Sequence, residues 1–283
     1  MRIAVASGKG GTGKTSVAVN LAISTHADKL LDCDVEEPNT YLFFELKDKL
    51  TRPVEVLVPD IDEKKCTYCG ECSRFCQYHA LFITDSTAQV FDELCHSCGG
   101  CKIVCPYDAI EEKPERIGFV HTAFVNDFEL VYGELDVGRP MAIPVIKEVK
   151  KDSANEGLSI LDSPPGTACP VVETVDGCDF CLLVTEPTPF GLHDLEITVD
   201  VVKQLGVPLG VVVNFAGVGG KGVYEFCDRE KIPILMEIPY DEKIAKLYSR
   251  GIPFSRELKD WVPKFQSLLK KIEDITVEAN SDS

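Results

Sequence analysis

Two groups of residues in this 283-residue chain have the types and spacing that chemistry needs. The first is the run Gly8-Lys9-Gly10-Gly11-Thr12-Gly13-Lys14-Thr15-Ser16, whose first eight residues fit G-x-x-x-x-G-K-[ST]. A triphosphate needs many N–H donors at short range, and glycines let the backbone curl around it. A helix starting there adds its dipole and free amides. Lys14 is placed to neutralise β- and γ-phosphate charge and Thr15 to offer a hydroxyl to Mg²⁺, so ATP and Mg²⁺ are the expected ligands. The second group is Cys-x₂-Cys-x₂-Cys-x₃-Cys, written twice. Cys66, Cys69, Cys72 and Cys76 map onto Cys95, Cys98, Cys101 and Cys105, and Tyr78 and Ala80 onto Tyr107 and Ala109. Three close thiolates on one loop can bind three corners of an iron–sulfur cubane. Zinc is the competing metal, but structural zinc sites usually use two separated Cys-x₂-Cys pairs without a third close cysteine.

The double run resembles that of bacterial two-cluster ferredoxins, in which the fourth cysteine of each run serves the other cluster. The expected assignment is crossed: Cys66, Cys69, Cys72 and Cys105 hold one [4Fe–4S] cluster, and Cys95, Cys98, Cys101 and Cys76 hold the other. Cys105 is followed by Pro106 whereas Cys76 is followed by Gln77. That difference removes no ligand but bears on shielding, and so on potential.

These residues need a frame. Arg2 to Ala6 reads as a strand before the glycine loop, and Val17, Ala18, Leu21 and Ala22 recur at helical spacing after it. Leu30-Leu31 leads into Asp32-Cys33-Asp34, and Leu158 to Leu161 ends at Asp162 before Ser163-Pro164-Pro165-Gly166. A carboxylate at Asp162 suits Mg²⁺. Pro53 to Val58 is β-like, and Ile117 to Phe124 with Phe128 to Tyr132 suggests a hairpin. Apolar runs at Cys181 to Val184, Leu209 to Val213 and Ile234 to Ile238 alternate with helical patterns at His193 to Leu205, Val223 to Lys231, Asp241 to Ser249 and Leu258 to Glu273. This alternation predicts an α/β fold with a mostly parallel sheet covered on both faces. The expected organisation is a P-loop ATPase domain over 1–58 and 114–283, interrupted at 59–113 by a small α+β ferredoxin-like insert with two [4Fe–4S] clusters.

Lys9 is a second lysine within the loop, as in the deviant Walker A of the MinD, ParA and nitrogenase-iron-protein group. Asp32-Cys33-Asp34, Asp162 to Gly166, Cys169-Pro170, the stretch from Thr185-Glu186-Pro187 to His193-Asp194, and Ile238-Pro239-Tyr240-Asp241 also resemble that group. The chain is similar throughout to MinD-superfamily (MinD/ParA/Mrp-like) ATPases that carry an inserted ferredoxin domain. The resemblance implies an ATP-dependent homodimer in which Lys9 reaches the partner's phosphates, Asp34 orients the attacking water, and Asn214 and Pro239 contact adenine. A strand-end turn is the alternative role for Asn214. The implied activity is Mg²⁺-dependent ATP hydrolysis coupled to the clusters, for electron transfer or metal-cofactor assembly. The alternatives are an iron–sulfur carrier with little turnover and a positioning switch with structural clusters. A redox or apo-metalloprotein partner is implied without being specified.

Charge and composition narrow this further. A net charge of −17 disfavours nucleic acid and anionic lipid, so no nucleic-acid partner and no stable membrane association are expected. No apolar run reaches the length of a membrane span and no signal-peptide pattern opens the chain, so a cytoplasmic setting is expected. The insert has twice as many acids as bases, which favours cationic partners. Cys178-x₂-Cys181 has the spacing of a metal pair, but Cys181 starts an apolar strand and is expected to be a small buried residue; Cys33, between two acids, is a poor nucleophile. The stripe Trp261, Phe265, Leu268, Leu269 and Ile272 is expected to pack inward in preference to binding lipid, because Glu273, Asp274 and an acidic tail follow it.

Overall fold

The computed structural model describes residues 1–125, 128–153 and 157–281. In chain order the elements are β1 (Arg2–Ser7), α1 (Lys14–Ser24), β2 (Lys29–Asp32), β3 (Lys47–Ile61), α2 (Glu71–Phe75), β4 (Leu81–Ile83), β5 (Ala88–Val90), α3 (Gly100–Ile103), β6 (Ile110–Val125), β7 (Phe128–Leu135), α4 (Ile143–Lys150), β8 (Ser159–Pro165), α5 (Cys169–Val175), β9 (Phe180–Thr185), α6 (Pro189–Gln204), β10 (Leu209–Ala216), α7 (Gly222–Glu230), β11 (Ile234–Pro239), α8 (Glu242–Tyr248), α9 (Phe254–Glu257) and α10 (Trp261–Ser281).

Among the described residues one nine-stranded sheet runs β11-β10-β9-β1-β8-β2-β7-β6-β3. From β11 to β7 every pairing is parallel. The central strands are Val-, Ile- and Leu-rich and buried along most of their length, as a sheet covered on both faces requires. One apolar layer packs α4, α5, α6 and α7 against one face, and a second packs α1, α9 and α10 against the other. Trp261, Phe265, Leu268 and Ile272 are buried in the second layer, so the stripe of the last helix faces the core. Among the described residues no helix is long and apolar enough to cross a membrane.

The far edge is built differently. β6 pairs antiparallel with both β7 and β3. The turn of the expected hairpin, at 126–127, lies outside the described residues. The β3–β6 pairing runs from Lys47↔Phe124 to Ile61↔Ile110, well past the β-like run at 53–58. Beyond Gly118 β6 loses its β7 neighbour, so a two-stranded ribbon leaves the sheet with the cysteine segment at its tip. Pro114 is tolerated there because β6 then has an open side.

Candidate functional site

The loop after β1 closes around its own backbone. Gly11 and Gly13 have φ of 82° and 88°, the left-handed region open to glycine at little cost. Gly13 is also sterically pinned, because a Cβ there would lie 2.3 Å from Asn214 Nδ2. Asn214, two residues before the end of β10, donates from Nδ2 to the Thr12 carbonyl at 2.8 Å. It therefore ties the loop to the neighbouring strand end. Ser7 Oγ donates to the Lys9 carbonyl at 2.8 Å from the other side.

Lys14 opens α1 with its side chain almost wholly buried, and Nζ donates to Asp162 Oδ1 at 2.8 Å. Burial works to lower the Lys14 pKa, but Asp162, with Asp32 and Asp34, outweighs it and holds the ammonium above its ordinary value. Asp162 and Asp32 are direct partners on β8 and β2, which puts both carboxylates at one end of the sheet. Asp162 Oδ2 is buried with no hydrogen-bond partner among the described residues. Asp162 does not itself line the cleft, but an orphaned carboxylate oxygen on the acid that pairs with Lys14 is a donor suited to Mg²⁺ or to its water.

Asp32 has a different task. It accepts from the amides of Asp34, Asn39 and Thr40, each at 3.0 Å, and from Thr40 Oγ1 at 2.9 Å. It folds the loop that presents Asp34. Burial and the Asp162 charge still push its pKa to about 6. Asp34 is raised to about 7, first by burial and then by Asp32, Asp162 and Glu37, with Lys14 opposing.

Lys9 Nζ donates to Glu186 Oε1 at 2.6 Å. Glu186 also accepts from Thr188 Oγ1 at 2.9 Å, and these contacts overcome its partial burial and hold its carboxyl below the ordinary value. The sequence marked Lys9 without showing this same-chain partner; the Glu-Pro-Thr run, which places the acid just before a helix cap, is the signal that could have found it.

Lys9, Gly10, Gly11, Thr12, Gly13, Lys14, Thr15, Ser16, Asp34, Asn214 and Pro239 line one open cleft of about 1250 Å³. Gly8 lies behind it, packed on α6, where a Cβ would meet the Asp194 carbonyl at 2.4 Å. At the far end of the cleft Phe215, Ile238, Tyr240, Ile244, Tyr248 and Phe254 form an apolar wall suited to a base. The motif Ile238-Pro239-Tyr240-Asp241 reaches this wall, but sequence reasoning gave a role there to Pro239 alone; Phe215, Ile244, Tyr248 and Phe254 carry no motif.

The cysteine segment repeats in backbone as well as in sequence. Tyr68 and Ser97, Gly70 and Gly99, and His79 and Asp108 form three pairs at the repeat offset, all with positive φ. The Ala80 amide donates to Cys76 Sγ and the Ala109 amide to Cys105 Sγ, each at 3.4 Å. Cys66, Cys69, Cys72 and Cys105 line one cavity. Cys76, Cys95, Cys98 and Cys101 line a second, roomier one. Pro106 and Tyr107 border the first; Gln77 and Tyr78 border the second, where Tyr78 stacks on His96 with centroids 3.5 Å apart. Among the described residues no three His, Cys, Asp or Glu side chains converge on a single-ion site. The other thiols differ. Cys33, Cys178, Cys181 and Cys227 are buried, and burial raises the pKa of each, to about 11 for Cys178 and Cys227. Cys169 is exposed at the start of α5.

The profile of the CobQ/CobB/MinD/ParA nucleotide binding domain matches residues 3–254. The chain belongs to this family. Within this CobQ/CobB/MinD/ParA family, an uncharacterised protein of Methanocaldococcus jannaschii is 33% identical over 93% of this chain and 95% of its own length. An iron–sulfur cluster carrier protein of the same organism is 23% identical over 96% of this chain and 83% of its own. The solved MinD of Pyrococcus horikoshii, complexed with Mg-ADP, has the same fold: the TM-score is 0.58 and the identity 19%, over 97% of this chain and 95% of that one.

Proposed function

We propose that this protein is an iron–sulfur ATPase in which nucleotide held in the P-loop cleft governs two [4Fe–4S] clusters carried by residues 59–113. One observation carries the reading: the eight cysteines of the repeat sort into two four-thiol cavities, each taking three from one run and the fourth from the other. That is the donor set a pair of cubanes requires. A cubane spreads its thiolates over four irons, so convergence on one ion is not needed.

In this reading Lys14 and the loop amides bind the phosphates, and Thr15 and Asp162 hold Mg²⁺. Bound Mg²⁺ neutralises phosphate charge, and bound clusters supply low-potential one-electron chemistry. Asp34, facing the cleft, orients the attacking water once ionised. Asn214 holds the loop against β10, and Pro239 with its aromatic neighbours receives the adenine. Lys9 leaves Glu186 to reach the phosphates of a second copy in an ATP-dependent homodimer.

A second reading, a cluster carrier with little turnover, is favoured by the relatives named iron–sulfur cluster carrier proteins and by the Lys9–Glu186 pair, which keeps a phosphate-directed lysine occupied. The test is anaerobic purification, then iron and sulfide content, ATPase rate, and cluster EPR with Mg-ADP and with a non-hydrolysable ATP analogue. Eight irons per chain with nucleotide-dependent spectra support the proposal. Transfer of iron to an apo-acceptor without turnover supports the carrier. Zinc in place of iron, or clusters blind to nucleotide, overturns the proposal.

A further inference from the structure

The nucleotide cleft and the second cysteine cavity are linked by a short polar relay with one gap in it. Val35 follows Asp34, and its carbonyl accepts from the Leu135 amide at 2.8 Å. Its side chain is buried on β7 at Gly133, where a Cβ would lie 2.5 Å from Val35 Cγ1. Val35 thus ties the acid loop to the end of β7. Past that end the Asp136 amide donates to the Ile117 carbonyl at 2.8 Å, Asp136 Oδ2 accepts from Arg116 Nε at 3.0 Å, and the Arg139 amide donates to the Asp136 carbonyl at 3.1 Å. Arg139 Nη2 is ion-paired with Glu115 on the ribbon.

The gap lies beyond Arg139. Its Nη1 is buried with no hydrogen-bond partner among the described residues, and so is Asp92 Oδ1. Burial raises the Asp92 pKa, and Lys113 and Arg139 are near enough to oppose that rise. Asp92 opens the turn Asp92–Leu94, and its carbonyl accepts from the Cys95 amide at 3.2 Å. Cys95 belongs to the cavity with Cys76, Cys98 and Cys101. Two opposite charges, each with a buried unpaired atom, leave a desolvation cost that mutual contact removes. The turn that carries Arg139 is hydrogen-bonded through Asp136 to Ile117 and Arg116 of β6 at the end of its pairing with β7.

We infer that Arg139 is a positioning residue that closes onto Asp92 when a triphosphate engages the acid loop, so that nucleotide state reaches the Cys76/Cys95/Cys98/Cys101 cavity and not the other. A ligand shifts such an equilibrium by its differential affinity for the two arrangements. The inference rests on the nucleotide reading above.

The test is amide hydrogen exchange on the full chain with Mg-ADP and with Mg-AMPPNP. Peptides over 91–95 are expected to exchange several-fold more slowly with Mg-AMPPNP, while peptides over 64–70 stay unchanged. Arg139→Gln and Asp92→Asn should each abolish the slowing at 91–95 yet keep nucleotide protection of 8–16, and Arg139→Lys should restore part of it. Full slowing in Arg139→Gln, or equal slowing around both cavities, overturns the inference. Absent protection of 8–16 in the unaltered chain instead overturns the nucleotide reading, and this inference with it.

Discussion

Lys14, in the cleft wall, meets the buried Asp162 behind it at 2.8 Å, and the bond uses only one oxygen of the carboxylate. The ammonium is held charged by the acid, and the second oxygen is buried and unpartnered among the described residues. The pair is thus built with spare coordinating capacity. Asp162→Asn is expected to lower Mg²⁺-ATP turnover by about 10²-fold, the scale of losing a preorganised charge contact. It is also expected to cost about 3 kcal/mol of stability by leaving a buried ammonium alone. Steady-state kinetics and urea unfolding read the two effects separately; unchanged turnover would remove Asp162 from the site.

Lys14→Ala should weaken triphosphate binding roughly 10²-fold, the value of a lost charge-assisted contact, while leaving iron content intact. Cys98→Ala should do the reverse. Equilibrium nucleotide binding and iron analysis on both variants check the separation of the two sites.

Asp34 gives a pH dependence of unusual sign. Burial raises its carboxyl to about 7, and that of Asp32 to about 6. The folded chain therefore keeps protons that the unfolded chain releases near about pH 4, and stability falls as pH rises from there through about 7. The Tm of the nucleotide-free protein is expected to be lower at pH 8 than at pH 5, and Asp34→Asn should flatten part of that fall. ATP turnover should move the opposite way, rising through about pH 7 as Asp34 ionises. A flat rate profile between pH 6 and 8 would exclude Asp34 from orienting the water.

The Lys9–Glu186 pair predicts a competition. Glu186→Gln weakens the hold on Lys9 and should increase the fraction of dimer at a fixed concentration of Mg-AMPPNP, as measured by light scattering. Lys9→Ala should leave the chain monomeric with nucleotide still bound. Equal dimer fractions in all three proteins would refute a contact from Lys9 to a second copy.

Much of this architecture could be read from residue order. The glycine loop, the acids at two strand ends and the parallel alternation are local patterns, and each strand of the central sheet is an apolar run that burial makes visible. At the far edge the β6–β7 hairpin and the run at 53–58 were legible, but the start of β3 was opaque for a physical reason. Lys47 to Arg52 is charged and solvent-facing, so its strand character comes from pairing with β6 and not from its own composition. Pro59 and Pro114 read as boundaries, yet both lie inside strands of the ribbon. The helices α4 and α5 escaped notice because each has only two turns, too short for periodicity to stand out. The site followed the same rule. Motif residues were legible, whereas the pairing of Glu186 with Lys9, the assembly of the aromatic wall and the Arg139–Asp92 gap depend on segments far apart in the chain.

The chain enters and leaves the cysteine segment at Ile61 and Ile110, which face each other across one rung of the ribbon. Excising everything between them and joining the ends with a tight turn would preserve every rung of the nine-stranded sheet. The fold thus treats the cysteine segment as a plug-in cassette, one that evolution could swap, lose or acquire without redesigning the sheet it is mounted on.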